Sequence, residues 1–136
     1  MEYSEAKIIK LLVEFFADDF RRIDHALQVL GHSKNIMAEK AGVNSDLVIA
    51  CALLHDVGIK PAEEKFGYNN GKLQEEYGPA VAEELLQKID FPADLIIRVK
   101  EIIGNHHSPS RYDYLELEIL KQADAIVNRA DNRQVL

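Results

Sequence analysis

The eight residues from Leu47 to Leu54, LVIACALL, are all apolar, and they run directly into two strongly polar neighbours, His55 and Asp56. Gly58 and Lys60 follow close behind. Neighbours in a helix point about 100° apart and rarely share a target. At a helix C-terminus, with Gly58 free to take a left-handed conformation, the backbone is expected to turn and bring both side chains toward one centre. The stretch therefore predicts an apolar helix that unwinds where its polar pair stands.

The rest of the chain also reads as helix. After Ser4, a candidate N-cap, Ile8, Leu11, Leu12, Phe15 and Phe16 recur at helical spacing. Asp18 and Asp19 mark a break. A second helix carries Ile23, Leu27, Leu30, Ile36 and Met37, with an interruption expected near Gly31 and an end at Gly42. Asn44, Ser45 and Asp46 offer caps for the apolar helix. Residues 58–73, with Gly58, Pro61, Gly67, Asn69, Asn70 and Gly71, predict the least regular segment. A further helix is expected from about Gln74 to Ile89, with its first turn bent or delayed by Gly78-Pro79. Pro92 begins another, which ends at Gly104. Asn105 to Arg111 predict a loop, and the last helix starts near Asp113. With no convincing strand, the class is all-α, and the 136 residues are expected to form a single domain.

Composition narrows the function. The chain is 47% apolar and 29% charged, and carries a net charge of −7. Binding to a nucleic-acid polymer through a basic surface is not expected, since that requires clustered Lys and Arg. An anionic small substrate remains compatible if a metal cation supplies the local charge. No apolar run approaches the ~20 residues of a membrane span. The N-terminus has no signal-peptide pattern, and the single cysteine, Cys51, sits inside the apolar helix as a core residue. A cytoplasmic setting without a membrane partner is the expectation.

Four polar residues sit badly in this helical scheme. His25 lies among Ile23, Leu27 and Val29, His55 and Asp56 close the apolar helix, and Asp124 stands among Ala123, Ala125, Ile126 and Val127. A buried carboxylate is costly unless it is paired or bound to a metal. Two imidazoles and two carboxylates from three helices suit a divalent cation in a bundle core. A buried hydrogen-bond network among the same four residues also meets the requirement, and the residues alone do not choose between them.

The order His25, then ALLHDVG around His55 and Asp56, then Asp124 in KQADAIVN resembles the HD-domain superfamily of metal-dependent phosphohydrolases. The resemblance spans about Asp24 to Asn128. It implies a single compact bundle of five to six helices with a metal site in its core. It makes His25, His55, Asp56 and Asp124 direct ligands of one divalent ion (Mn, Fe, Co, Ni, Zn or Mg), with a second ion in some members. His106 and His107 match a second-metal or substrate-phosphate position. The intermediate histidine usual ahead of a glycine is missing, and Glu75 or Glu76 is the candidate oxygen ligand in its place.

The resemblance further implies hydrolysis of a phosphate ester, in a nucleotide or related small phosphorylated metabolite. Asp56 would bridge or orient, and His106 or His107 would steady the phosphate or protonate the leaving oxygen. Lys60 is a candidate phosphate contact, as are Arg21 and Arg22 and, more weakly, Arg111 and Tyr112. The 61–72 segment would be a mobile cover for the site. Substrate signatures are absent. VGIK after the doublet lacks the Glu-Asp of guanosine tetraphosphate hydrolases, and no Gly-Tyr-Pro follows His106-His107, which argues against the cyclic-dinucleotide phosphodiesterases. The rival classes are a catalytically silent metal-binding domain acting as a sensor or interaction module, and a purely structural helical domain. The apolar helices also offer a face for a homodimer.

Overall fold

The computed structural model describes residues 2–135, with side chains through residue 131. Among the described residues seven helices follow one another: α1 Ser4–Phe16, α2 Phe20–Met37, α3 Ser45–Leu54, α4 Ile59–Phe66, α5 Gly71–Gln87, α6 Ala93–Ile103 and α7 Leu115–Val135. No strand occurs among the described residues. No helix among them is long and apolar enough to cross a membrane.

The helix that lacks a polar face is the one at the centre. In α3, Leu47, Val48, Ala50, Cys51, Ala52, Leu53 and Leu54 are all buried, as a helix apolar on every side requires. It packs against α1, α2, α6 and α7. The outer helices each bury one stripe: Ile8, Leu11, Leu12 and Phe16 from α1, and Leu95, Ile96, Val99, Ile102 and Ile103 from α6. Asn44 begins α3, its side chain accepting from the Leu47 N–H at 3.1 Å, which satisfies one of the orphan donors of the first turn. Cys51 is a free, buried thiol whose pKa is pushed well up by desolvation.

Several boundaries differ from the sequence expectation, each for a local reason. Helix α2 runs unbroken through Gly31 and ends at Met37 rather than Gly42; one glycine costs a helix only about 1 kcal/mol, and burial of Ala26, Val29 and Leu30 outweighs it. The segment read as irregular folds into α4, which accounts for a seventh helix. Gly67, at φ 79°, closes α4 in the left-handed conformation, its N–H donating to the Glu63 carbonyl at 2.9 Å. The Asn70 side chain then accepts from Leu73 N–H at 2.9 Å and starts α5 before Gln74. Pro79 lies inside that helix.

Gly58 is right-handed (φ −67°, ψ −16°), so its expected left-handed turn is not what brings the polar pair together. Its lack of a side chain serves a different purpose. A Cβ on Gly58 would lie 2.7 Å from both the Gln74 carbonyl oxygen and the Gly78 nitrogen, and one on Gly78 would lie 2.7 Å from Ile103 Cγ2. The two glycines let the turn after α3 touch the backbone of α5. That contact brings α5 against the His55-Asp56 turn.

Candidate metal centre

Four side chains converge from three places in the bundle. His25 comes from the middle of α2, His55 and Asp56 from the turn that ends α3, and Asp124 from α7. His25 Nε2 lies 3.0 Å from Asp124 Oδ1, 3.3 Å from Asp56 Oδ2 and 3.3 Å from His55 Nε2. His55 Nε2 lies 3.3 Å from both Asp56 Oδ2 and Asp124 Oδ1. With ligand bonds of about 2.0–2.2 Å, adjacent donors on one cation stand about 3 Å apart, so the spacing suits a shared ion.

The ring orientations point the same way. His55 is fully buried, and its Nδ1 donates to the Ala52 carbonyl at 2.8 Å, which leaves Nε2 as the ring nitrogen facing the carboxylates. His106, also buried, donates from Nδ1 to the Ile103 carbonyl at 2.5 Å. Its Nε2 is buried with no hydrogen-bond partner and lies 3.9 Å from Asp56 Oδ1. A buried ring nitrogen without a partner in that position fits a cation's donor set. Asp56, His106 and His107 place donor atoms within 4.8 Å of one another, as do His25, His55 and Asp56. Asp56 belongs to both groups, one oxygen toward each.

Electrostatics reflect the concentration of opposite charges. Burial alone would lower the His55 pKa, but the charge of Asp56 and the hydrogen bond and charge of Asp124 outweigh it and raise it to about 9. Burial would raise Asp56, yet His55, His106 and His25 hold it at about 2. Asp124 is likewise held far below the carboxylate range, because its bonds to His25 and His55 overcome its desolvation. Desolvation and then the neighbouring His106 lower His107. Without a cation, a proton on His55 offsets the two carboxylates.

The centre forms the floor of a cavity of about 350 Å³, lined among others by Arg21, Arg22, His25, Asp56, Asn69, Gln74, His107 and Asp124. The remaining candidate residues separate sharply. Glu75 does not face the cavity: its carboxylate accepts from the His107 backbone N–H at 2.9 Å and from Ser108 Oγ at 2.7 Å. It pins the histidine turn and is not placed as a ligand. Lys60 also points away, donating to the Phe15 carbonyl at 2.8 Å with its ammonium 5.0 Å from the Phe15 ring centre. Arg111 is exposed and bonds back to the Gly104 carbonyl, and neither it nor Tyr112 lines the cavity. Arg22 is clamped by Glu63 through two bonds of 2.8 and 3.0 Å and by Asp19 at 3.1 Å. Half of the cover expected from residues 61–72 is helix α4, tied down by that clamp, and its end already belongs to α5.

Gln74, Asn69, Asn128 and Asp131 also line the cavity, and sequence reasoning gave none of them a role. For Gln74 a signal existed. It lies one turn before Gly78, so the two share a face of α5, and Gly78 is the residue that meets the doublet turn.

Comparison with known proteins identifies the family. The crystal structure of a predicted HD superfamily hydrolase from an uncultured Thermotogales bacterium is similar at 25% identity and a TM-score of 0.69, covering 94% of this chain and 74% of that one. No curated protein matches the chain. The HD domain family model matches residues 22–131, a span that contains every residue of the His/Asp centre. The chain therefore belongs to the HD domain family.

Proposed function

We propose that the chain is a metal-dependent phosphohydrolase acting on a phosphate ester, in a nucleotide or related small phosphorylated metabolite. The observation that carries this reading is that His25 and His55 lie 3.3 Å from each other and each 3.0–3.3 Å from both Asp56 and Asp124, against a cavity. Membership of a family whose domains bind divalent metals supports it, as does the likeness to an HD superfamily hydrolase. A bound divalent ion supplies Lewis-acid polarisation of a phosphoryl oxygen and makes a water nucleophile accessible near neutral pH.

The chain's own residues do the rest. Asp56, with one oxygen toward His25 and His55 and the other toward His106, links the two donor groups and fixes their separation. His25, Asp56 and Asp124 are each partly exposed toward the cavity, whereas His55 is closed off behind them. Substrate thus approaches from the side of Arg21. Arg22 is already committed to Asp19 and Glu63, while Arg21 is exposed, makes no ion pair among the described residues, and is the cation at the rim able to receive a phosphate. A cavity of about 350 Å³ is within the range of small-molecule sites, which supports a small phosphorylated metabolite as substrate.

The test is phosphate release from a panel of nucleotides and phosphate mono- and diesters. The protein is stripped and reloaded with Mn, Fe, Co, Ni, Zn or Mg, and Asp56→Ala serves as control. Turnover that requires metal and is lost in Asp56→Ala supports the hydrolase. Tight metal binding without turnover on any substrate would make the chain a silent metal-binding domain instead.

A further inference from the structure

A line of side-chain hydrogen bonds leads from Arg22 to the exposed histidine of the centre. Arg22 pairs with Glu63, Asn69 Nδ2 donates to Glu63 Oε2 at 2.8 Å, and Gln74 Nε2 donates to Asn69 Oδ1 at 2.9 Å. Gln74 Oε1 then meets His107 Nε2 at 2.5 Å. The line has only one self-consistent direction. The Glu63 carboxylate can only accept, so Asn69 must present its NH₂ to it and its oxygen to Gln74. Gln74 must in turn present its own NH₂ to Asn69, which leaves an oxygen facing His107. An oxygen facing an imidazole nitrogen at that distance requires the nitrogen to carry the hydrogen.

We propose that Glu63, Asn69 and Gln74 fix neutral His107 as its Nε2–H tautomer, so that Nδ1 carries its lone pair and Gln74 is a positioning residue for the Asp56, His106 and His107 donor group. The other two anchored rings, His55 and His106, have their N–H held by a backbone carbonyl three residues back. His107 is held instead by a side-chain chain that begins at an ion pair. Partners that fix the tautomer of a metal-binding histidine typically change affinity by about 10–100-fold when removed. The cation half of this inference rests on the metal-dependent reading above. The tautomer half does not.

Two measurements test it. In the metal-free protein, the ¹⁵N shifts of the His107 ring should show the Nε2–H tautomer. Gln74→Leu should give a mixture, and Gln74→Glu, which offers only acceptor oxygens, should keep the hydrogen on Nε2. Glu63→Gln should also give a mixture, although it touches neither His107 nor a cation donor. Calorimetric titration with Mn²⁺ alone should show two binding events in the wild type. The weaker should fall about 10–100-fold in Gln74→Leu, with the tighter one unchanged. An Nδ1–H tautomer in the wild type, or a tautomer unmoved by Gln74→Leu, overturns the chain of hydrogen bonds. A single Mn²⁺ per chain, or a weaker event unchanged in Gln74→Leu, overturns the positioning role. Failure to bind any Mn²⁺ overturns the metal-dependent reading itself, and the ring shifts still decide the tautomer.

Discussion

The Nε2 atoms of His25 and His55 stand 3.3 Å apart, one contributed by α2 and the other by the turn after α3. Two imidazole lone pairs cannot face each other at that distance in a buried site without something positive between or beside them. Asp56 and Asp124 complete the ring at 3.0–3.3 Å. In the metal-free protein the positive charge is a proton. A divalent ion is the other way to supply that charge.

Asp124→Asn should weaken Mn²⁺ binding at the tighter site by at least about 100-fold. Removing a ligand should cost no less than removing a group that merely orients one. The amide keeps the size of the carboxylate, so α7 should stay folded, and circular dichroism should match the wild type. Calorimetry with Mn²⁺ checks the affinity. Affinity within threefold of wild type would remove Asp124 from the ligand set.

Stability of the metal-free protein should fall as pH rises from about 6.5 to 9. His55 is raised from 6.5 when unfolded to about 9 when folded. Its contribution is therefore fully present below 6.5 and lost as pH climbs through 9, an effect of the order of a few kcal/mol. Asp56, held at about 2 against 3.8, contributes in the opposite sense, present above 3.8 and lost as pH falls through 2. Saturating Mn²⁺ should reverse the alkaline decline, because the ion competes with the proton on His55 and binds more tightly as that proton leaves. Urea melts at pH 6.5, 8 and 9.5, with EDTA and with Mn²⁺, read both trends.

How far the sequence reaches is visible in these same residues. The all-helical class and the four outlying polar residues were legible, because an apolar period of 3.6 and a carboxylate among alanines are local signals. Helix α4 was not legible, since it begins at Gly58 without a side-chain cap and its body, KPAEEKF, is mostly polar. The placement of Lys60, Glu75 and Gln74 was also hidden. Each lies near the site in sequence, but which of them faces the cavity depends on the rotation of α4 and α5 about their axes. The Gly58–Gly78 contact fixes that rotation, and a tertiary contact of that kind leaves no periodic trace.

Arg21 and Arg22 should behave differently although they are adjacent. Arg21 makes no ion pair among the described residues, so Arg21→Ala should leave stability unchanged and lower kcat/KM on a phosphate ester by about 10–100-fold, the worth of one charge-assisted hydrogen bond. Arg22→Ala should destabilise the fold, because it leaves Glu63 and Asp19 without their shared partner. Steady-state kinetics and urea melts on both variants separate the two roles. Equal loss of activity with equal loss of stability would show that neither arginine meets substrate.

Gly58→Ala should unsettle the centre without touching a single donor atom. The added Cβ would sit 2.7 Å from the Gln74 carbonyl oxygen and 2.7 Å from the Gly78 nitrogen, both of them backbone and unable to rotate aside. Overpacking of this kind costs about 1–3 kcal/mol. Relief comes only by moving the doublet turn and α5 apart. Because His55 and Asp56 lie on one side of that contact and Gln74 on the other, the shift should reach both donor groups. Mn²⁺ affinity should therefore fall at the tighter and the weaker event together, with urea melts showing the loss of stability. Gly31→Ala, with open space around its Cβ and no strained φ, should instead stabilise α2 by up to about 1 kcal/mol and leave Mn²⁺ binding untouched. If Gly58→Ala bound Mn²⁺ as the wild type does, the close backbone crossing would be irrelevant to the centre, and the convergence of the two donor groups would need a different mechanical cause.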